Sequence, residues 1–133
     1  MTALQPAKHS PELEMFTTRR VVVVDGDRQA AEMLHTFLRL MELDCFLIAP
    51  ETDVVAAIRR QQPDVLILDL DLPDLRALEI ANEVHRTTPA LPVIFLTDDV
   101  PFALPVSGPI LRKPRDRFEE LLRLFEVVLS LEE

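Results

Sequence analysis

Apolar residues fall along this chain in two alternating textures, short unbroken runs and stripes at helical spacing. Residues 1–18 hold Pro6, Pro11 and scattered charges with no sustained period, which predicts a mobile tail. Val21-Val22-Val23-Val24 then forms a continuous β-branched run of the kind buried on both faces of a parallel sheet. Ala30, Met33, Leu34, Phe37, Leu38 and Met41 follow at three- and four-residue steps and predict a helix, with an aspartate placed to cap its start. Cys45 to Ile48 predicts a second strand, and Val54, Val55 and Ile58 are the inward stripe of a short helix that begins near Thr52 or Asp53 and is ended by Pro63. Val65-Leu66-Ile67-Leu68 is a third strand, after which Leu78, Ala81 and Val84 mark a third helix. Pro92 to Leu96 predicts a fourth strand, with the proline tolerable at its first position, and Ile110-Leu111-Arg112 a short fifth. The last helix is expected to open at Asp116, with Glu119 completing a capping box, and to bury Phe118, Leu121, Leu122, Phe125 and Val128.

Strands alternating with helices require right-handed crossovers and give an α/β fold, an open, doubly wound, five-stranded parallel sheet. The expected strand order is 2-1-3-4-5, over a single domain at 19–133. Only 15 residues lie between Thr97 and Lys113, and they include Pro101, Pro105 and Pro109, so the helix joining the fourth and fifth strands is expected to be shortened or missing.

Composition narrows the function classes. A net charge of −9 argues against nucleic acid as a partner, because phosphate binding needs clustered Lys and Arg. With two glycines, Gly26 and Gly108, neither a P-loop nor a dinucleotide fingerprint can be written onto the chain. No apolar run is long enough to span a bilayer, so no membrane partner and a cytoplasmic location are expected. The single cysteine, Cys45, lies in an apolar run and reads as a small buried hydrophobe. The absence of tyrosine and tryptophan disfavours a small-molecule binder that would sandwich a flavin ring.

In the predicted order, strands 1 and 3 are neighbours at the topological switch point, where functional groups gather beyond the carboxyl ends of the strands. The acids sit where that rule points. Asp25 and Asp27 follow strand 1, Asp69 ends strand 3 with Asp71 just beyond, Thr97 and Asp98 follow strand 4, and Lys113 follows strand 5. Clustered carboxylates repel one another, so their gathering at one sheet edge points to function.

Four pieces in order, Val-Val-Asp25, Pro63 to Pro73 around Asp69, Leu96-Thr97 and Lys113-Pro114, resemble the signature positions of the CheY-like receiver domains of two-component response regulators. The resemblance runs from about Arg19 to Leu129 and implies a flavodoxin-like fold. It further implies a non-enzymatic signalling module in a phosphorelay, in which a histidine kinase or phosphotransfer protein passes a phosphoryl group to Asp69. Thr97 would then hydrogen-bond a phosphoryl oxygen and Lys113 would supply a positive charge. Asp25, Asp69 and Asp71 would hold Mg2+, and the modified chain would signal to a downstream target protein, with a homodimer also open.

Several positions depart from that pattern. The second of the two acids usual after strand 1 is Gly26, so Mg2+ binding should be weak, with Asp27 or Asp71 as substitutes. The small residue usual after Thr97 is Asp98, which adds bulk and charge, and Ile110 stands where the family carries an aromatic. The alternative function is a phosphorylation-independent pseudo-receiver acting as a binding or dimerisation module.

Overall fold

The computed structural model describes residues 19–98, 108–113 and 119–130. In chain order the elements are β1 (Arg20–Val24), α1 (Arg28–Leu40), β2 (Asp44–Ile48), α2 (Val54–Gln61), β3 (Val65–Asp69), a 3₁₀ turn (Pro73–Leu75), α3 (Arg76–Thr87), β4 (Val93–Thr97), β5 (Ile110–Arg112) and α4 (Glu119–Ser130). The five strands form one parallel sheet in the order β2-β1-β3-β4-β5, as the alternation of runs and stripes predicts. Three expectations fall outside the described residues: the tail at 1–18, the reduced helix before Pro109, and the capping box at Asp116 with burial of Phe118.

The sheet is sandwiched, and alternate strand residues serve its two faces. Val22, Val24, Leu66, Leu68 and Phe95 pack against Val54 and Ile58 of α2 and Ile80, Ala81 and Val84 of α3. Val21, Val23, Val65, Ile67, Ile94 and Leu96 meet Leu34 and Leu38 of α1 and Leu121 and Phe125 of α4. Both faces of β1 and β3 are thereby closed, which is why these strands read as unbroken apolar runs. Burying each such Val, Leu or Ile contributes about 1.5–3 kcal/mol before conformational entropy is charged.

Local signals set the helix ends. Asp27 caps α1 by accepting the Ala30 N–H at 3.1 Å, and Asp53 caps α2 by accepting that of Ala56 at 3.2 Å. Gln62 ends α2 in the left-handed region, with φ +50°, directly before Pro63. The buried stripe of α1 differs from the expectation: it consists of Ala31, Leu34 and Leu38, whereas Met33 and Met41 are 44% and 42% exposed. A 3.6-residue period admits a neighbouring stripe, and packing against the sheet selects the smaller Ala31. In β2, an edge strand, only Cys45 is buried and Leu47 is exposed. Burial pushes the Cys45 thiol up to about 12, which makes it inert as a nucleophile.

The two glycines have opposite tolerances. Gly108 has φ +153°, and a Cβ there would lie 2.6 Å from the Val93 carbonyl oxygen and 2.7 Å from the Phe95 ring. At Gly26 the closest approach is 3.1 Å, to the tip of the Leu72 side chain. Gly108→Ala should therefore cost about 2 kcal/mol or more, because strained backbone and overpacking add, while Gly26→Ala stays within about 1 kcal/mol. Urea unfolding of the two variants checks this, and equal midpoints would contradict it.

Candidate functional site

Pairing of β1 with β3 and of β3 with β4 brings three strand ends to one edge of the sheet, with Val24 opposite Leu68 and Asp69 opposite Leu96. Asp25, Asp69 and Thr97 are the buried polar side chains there, at 9%, 3% and 2% exposure. Lys113 joins them from beyond β5, placed by its backbone N–H, which donates to the Thr97 carbonyl at 2.9 Å. Of the residues expected in the site, Asp25, Asp69, Asp71, Thr97 and Lys113 come together; Asp27 lines the same cavity as Asp25 and Lys113, with its Oδ1 turned to cap α1.

Asp69 is held from three sides. Its Oδ1 accepts the Asp71 N–H at 2.8 Å and lies 3.0 Å from Lys113 Nζ, while Oδ2 accepts the Gly26 N–H at 3.2 Å. Asp25 Oδ1 accepts the Asp27 N–H at 2.9 Å. Burial pushes the Asp25 carboxyl up to about 6; the Asp27 N–H and Lys113 pull it down, whereas the hydrogen bond with Asp69 and that residue's negative charge add to the rise.

Asp71 faces the other way. Its Oδ1 accepts the Thr97 hydroxyl at 2.7 Å, and its Oδ2 accepts the Asp98 N–H at 2.9 Å and lies 3.1 Å from Lys113 Nζ. Partial burial opposes its charge, but these donors hold the carboxyl below its ordinary value. Burial likewise opposes the Lys113 charge, and Asp69 and Asp71 outweigh it and raise that ammonium above its usual range. The path of the loop after β3 is imposed by distant contacts. Asp74 and Leu75 take φ +59° and +57°, conformations costly for non-glycine residues, while Leu72 is buried and Arg76 reaches the carbonyls of Pro50 and Thr52.

The three carboxylates expected to hold a metal therefore do not converge. Asp25 and Asp69 adjoin, but Asp71 is turned to Thr97 and Lys113, and among the described residues no group of three or more His, Cys, Asp or Glu side chains is arranged to hold a metal ion. Sequence reading also missed the Asp98 N–H as a donor. A backbone group carries no residue-type signal, so no side chain in the sequence marks this donor.

The Response regulator receiver domain family matches residues 21–104. The chain belongs to the response-regulator receiver family. Among curated relatives, the probable transcriptional regulatory protein TcrX of Mycobacterium tuberculosis is 38% identical over 77 residues, 58% of this chain and 33% of that protein. The DNA-binding response regulator MtrA of Mycolicibacterium paratuberculosis is 35% identical over 79 residues, 59% of this chain and 35% of that protein. The receiver thus spans about a third of the length of these relatives. Among solved structures, the signal receiver domain of a modulated diguanylate cyclase from Desulfovibrio desulfuricans superposes with a TM-score of 0.75 at 25% identity, covering 87% of this chain and 99% of that one. The response regulator TrrA from Thermotoga maritima, solved with Mg(2+)-BeF, gives 0.71 at 20% identity over 84% of this chain and 99% of that one, a likeness of fold. Among the described residues no helix is long and apolar enough to cross a membrane.

The raised carboxyl of Asp25 fixes the sign of a pH effect. The folded receiver binds more protons than the unfolded chain between the ordinary value of 3.8 and about 6, so stability falls as pH rises through that window and stays lower above it. The full shift corresponds to about 3 kcal/mol; although Asp25 is only 9% exposed, it lines an open cavity with Asp27 and Lys113, and screening from that side reduces the effect to about 1 kcal/mol. Asp25→Asn keeps an acceptor for the Asp27 N–H and gains an N–H for Asp69. In metal-free buffer it should stabilise the protein by about 1 kcal/mol near pH 8 and flatten the decline between pH 4 and 6. Urea unfolding at about pH 5 and pH 8 checks this; an unchanged slope would contradict it.

Proposed function

We propose that this receiver accepts a phosphoryl group on Asp69 from a histidine kinase or phosphotransfer protein, and that the modified chain signals through protein–protein contacts. The observation that carries the reading is the buried Asp69 carboxylate at the end of β3, with Lys113 Nζ at 3.0 Å and Asp25 beside it. Repelling carboxylates are costly to bury, and a lysine that offsets only part of their charge leaves the site suited to bind a cation, which would in turn offset the charge of phosphoryl oxygens. In the transfer, the N–P bond of a phosphohistidine breaks and an O–P bond to Asp69 forms, and the departing imidazole takes a proton from solvent.

A hard divalent cation fits the paired oxygens of Asp25 and Asp69, and Mg2+ bound there would neutralise phosphoryl oxygens. Its affinity is low, because position 26 offers no side chain and Asp71 is engaged elsewhere. A Cβ built at Gly26 lies 3.8 Å from Asp69 Oδ2, so a carboxylate introduced there would join the cluster once Leu72 gives by a few tenths of an ångström. Wild-type Mg2+ binding should therefore lie in the many-millimolar range, Gly26→Asp should tighten it by about tenfold, and Asp25→Ala should weaken it. Calorimetric titration decides, and sub-millimolar binding by the wild type would contradict the argument.

The DNA-binding named for the MtrA relatives belongs to those longer proteins; with a net charge of −9 this unit is suited to protein partners. A second reading, a binding module independent of phosphorylation, is favoured by one observation: Thr97 and Lys113 are already engaged by Asp71. Intact-mass analysis after incubation with acetyl phosphate and Mg2+ separates the two. Slow, partial addition of one phosphoryl group is expected, and Asp69→Asn should abolish it, since an amide is no nucleophile. No addition even at high Mg2+, with partner binding unchanged in Asp69→Asn, would leave the binding-module reading standing.

A further inference from the structure

Three hydrogen-bond donors from separate positions converge on one carboxylate. Thr97 ends β4, Asp98 follows it and Lys113 follows β5, yet the Thr97 hydroxyl, the Asp98 N–H and the Lys113 ammonium all meet Asp71, at 2.7, 2.9 and 3.1 Å. Convergence of a hydroxyl, a backbone N–H and an ammonium makes an oxyanion seat, and charge-assisted bonds of this length are the strong kind. Both Asp71 oxygens are used. The same ammonium lies 3.0 Å from Asp69 Oδ1, so any anionic group carried by Asp69 would arrive beside the Asp71 carboxylate and compete for the same donors.

We infer that Asp71 is a built-in anion that fills this seat, tying the ends of β3, β4 and β5 together in the unmodified chain, and that an oxyanion can occupy the seat only by displacing it. The seat stands on the geometry alone; its bearing on Asp69 deepens the function proposed above. The chain thus carries its own counter-anion for Thr97 and Lys113, and an added phosphoryl group would replace one anion with another rather than assemble the cluster. An intramolecular carboxylate competes at an effective concentration far above that of millimolar free phosphate, so the wild-type seat should look closed to it.

Inorganic phosphate is the probe, read by the amide ¹H–¹⁵N shifts of Thr97, Asp98 and Lys113. No group is transferred, so failure of Asp69 phosphorylation would leave the result untouched. The wild type should show no saturable shift at these amides up to tens of millimolar phosphate. Asp71→Ala should bind with at least about tenfold higher affinity, and Asp71→Asn, which keeps the shape without the charge, should fall between and serves if the alanine variant is unstable. Adding Lys113→Met to either variant should abolish the binding. The inference is overturned if the wild type binds phosphate as well as the Asp71 variants do, if neither variant binds it, or if binding survives loss of the lysine.

Discussion

One ammonium group holds the functional edge of this receiver together. Lys113 lies within about 3 Å of both Asp69 and Asp71, its own side chain only 10% exposed. A buried Asp69 and a more exposed Asp71 at adjoining positions repel each other, and the burial of Asp69 carries a desolvation cost besides. A shared cation offsets the repulsion at Asp69 and Asp71 but reaches Asp25 only weakly, and Asp25 is the carboxyl that burial pushes upward. The distribution of charge across the site follows from where that single lysine can reach.

Its reach depends on the sheet. Lys113 is positioned by β5, which among the described residues pairs with β4 alone, and β4 pairs with β3. The strands are fixed in turn by apolar faces closed by helices on both sides, so core packing sets the spacing of the carboxylates. Gly108 lets β5 approach β4 closely, at a position where a Cβ would meet the Val93 carbonyl and the Phe95 ring. A core device and a site device are therefore coupled through one short strand.

Against the pattern of its family, the site has lost an acid beside Asp25, where Gly26 stands, and Asp71 sets a carboxylate among the donors of Thr97, Asp98 and Lys113 on the other side. For the proposed phosphoryl transfer both features work in the same direction: weaker neutralisation by a cation, and, on the inference above, an internal competitor for the donors. The Arg112 side chain adds a further tie, donating to the Asp98 carbonyl at 3.0 Å, so the backbone that presents the Asp98 N–H is itself anchored.

The strands, the helices, the sheet order and the placing of Asp25, Asp69, Thr97 and Lys113 at strand ends were legible in the amino-acid order. Unbroken β-branched runs, helical stripes and the handedness of crossovers act locally or through general topology, and they need no particular partner. The stripe of α1 was legible only approximately, because a helix offers adjacent stripes and the sheet chooses between them. Which way each carboxylate turns was a tertiary decision. Asp71 meets Thr97 across 26 residues of chain and Gly26 meets Asp69 across 43, through loops whose backbone is set by distant contacts such as those of Arg76. A side chain in such a loop settles on whichever donors the completed sheet brings within reach, and no local pattern records which those will be.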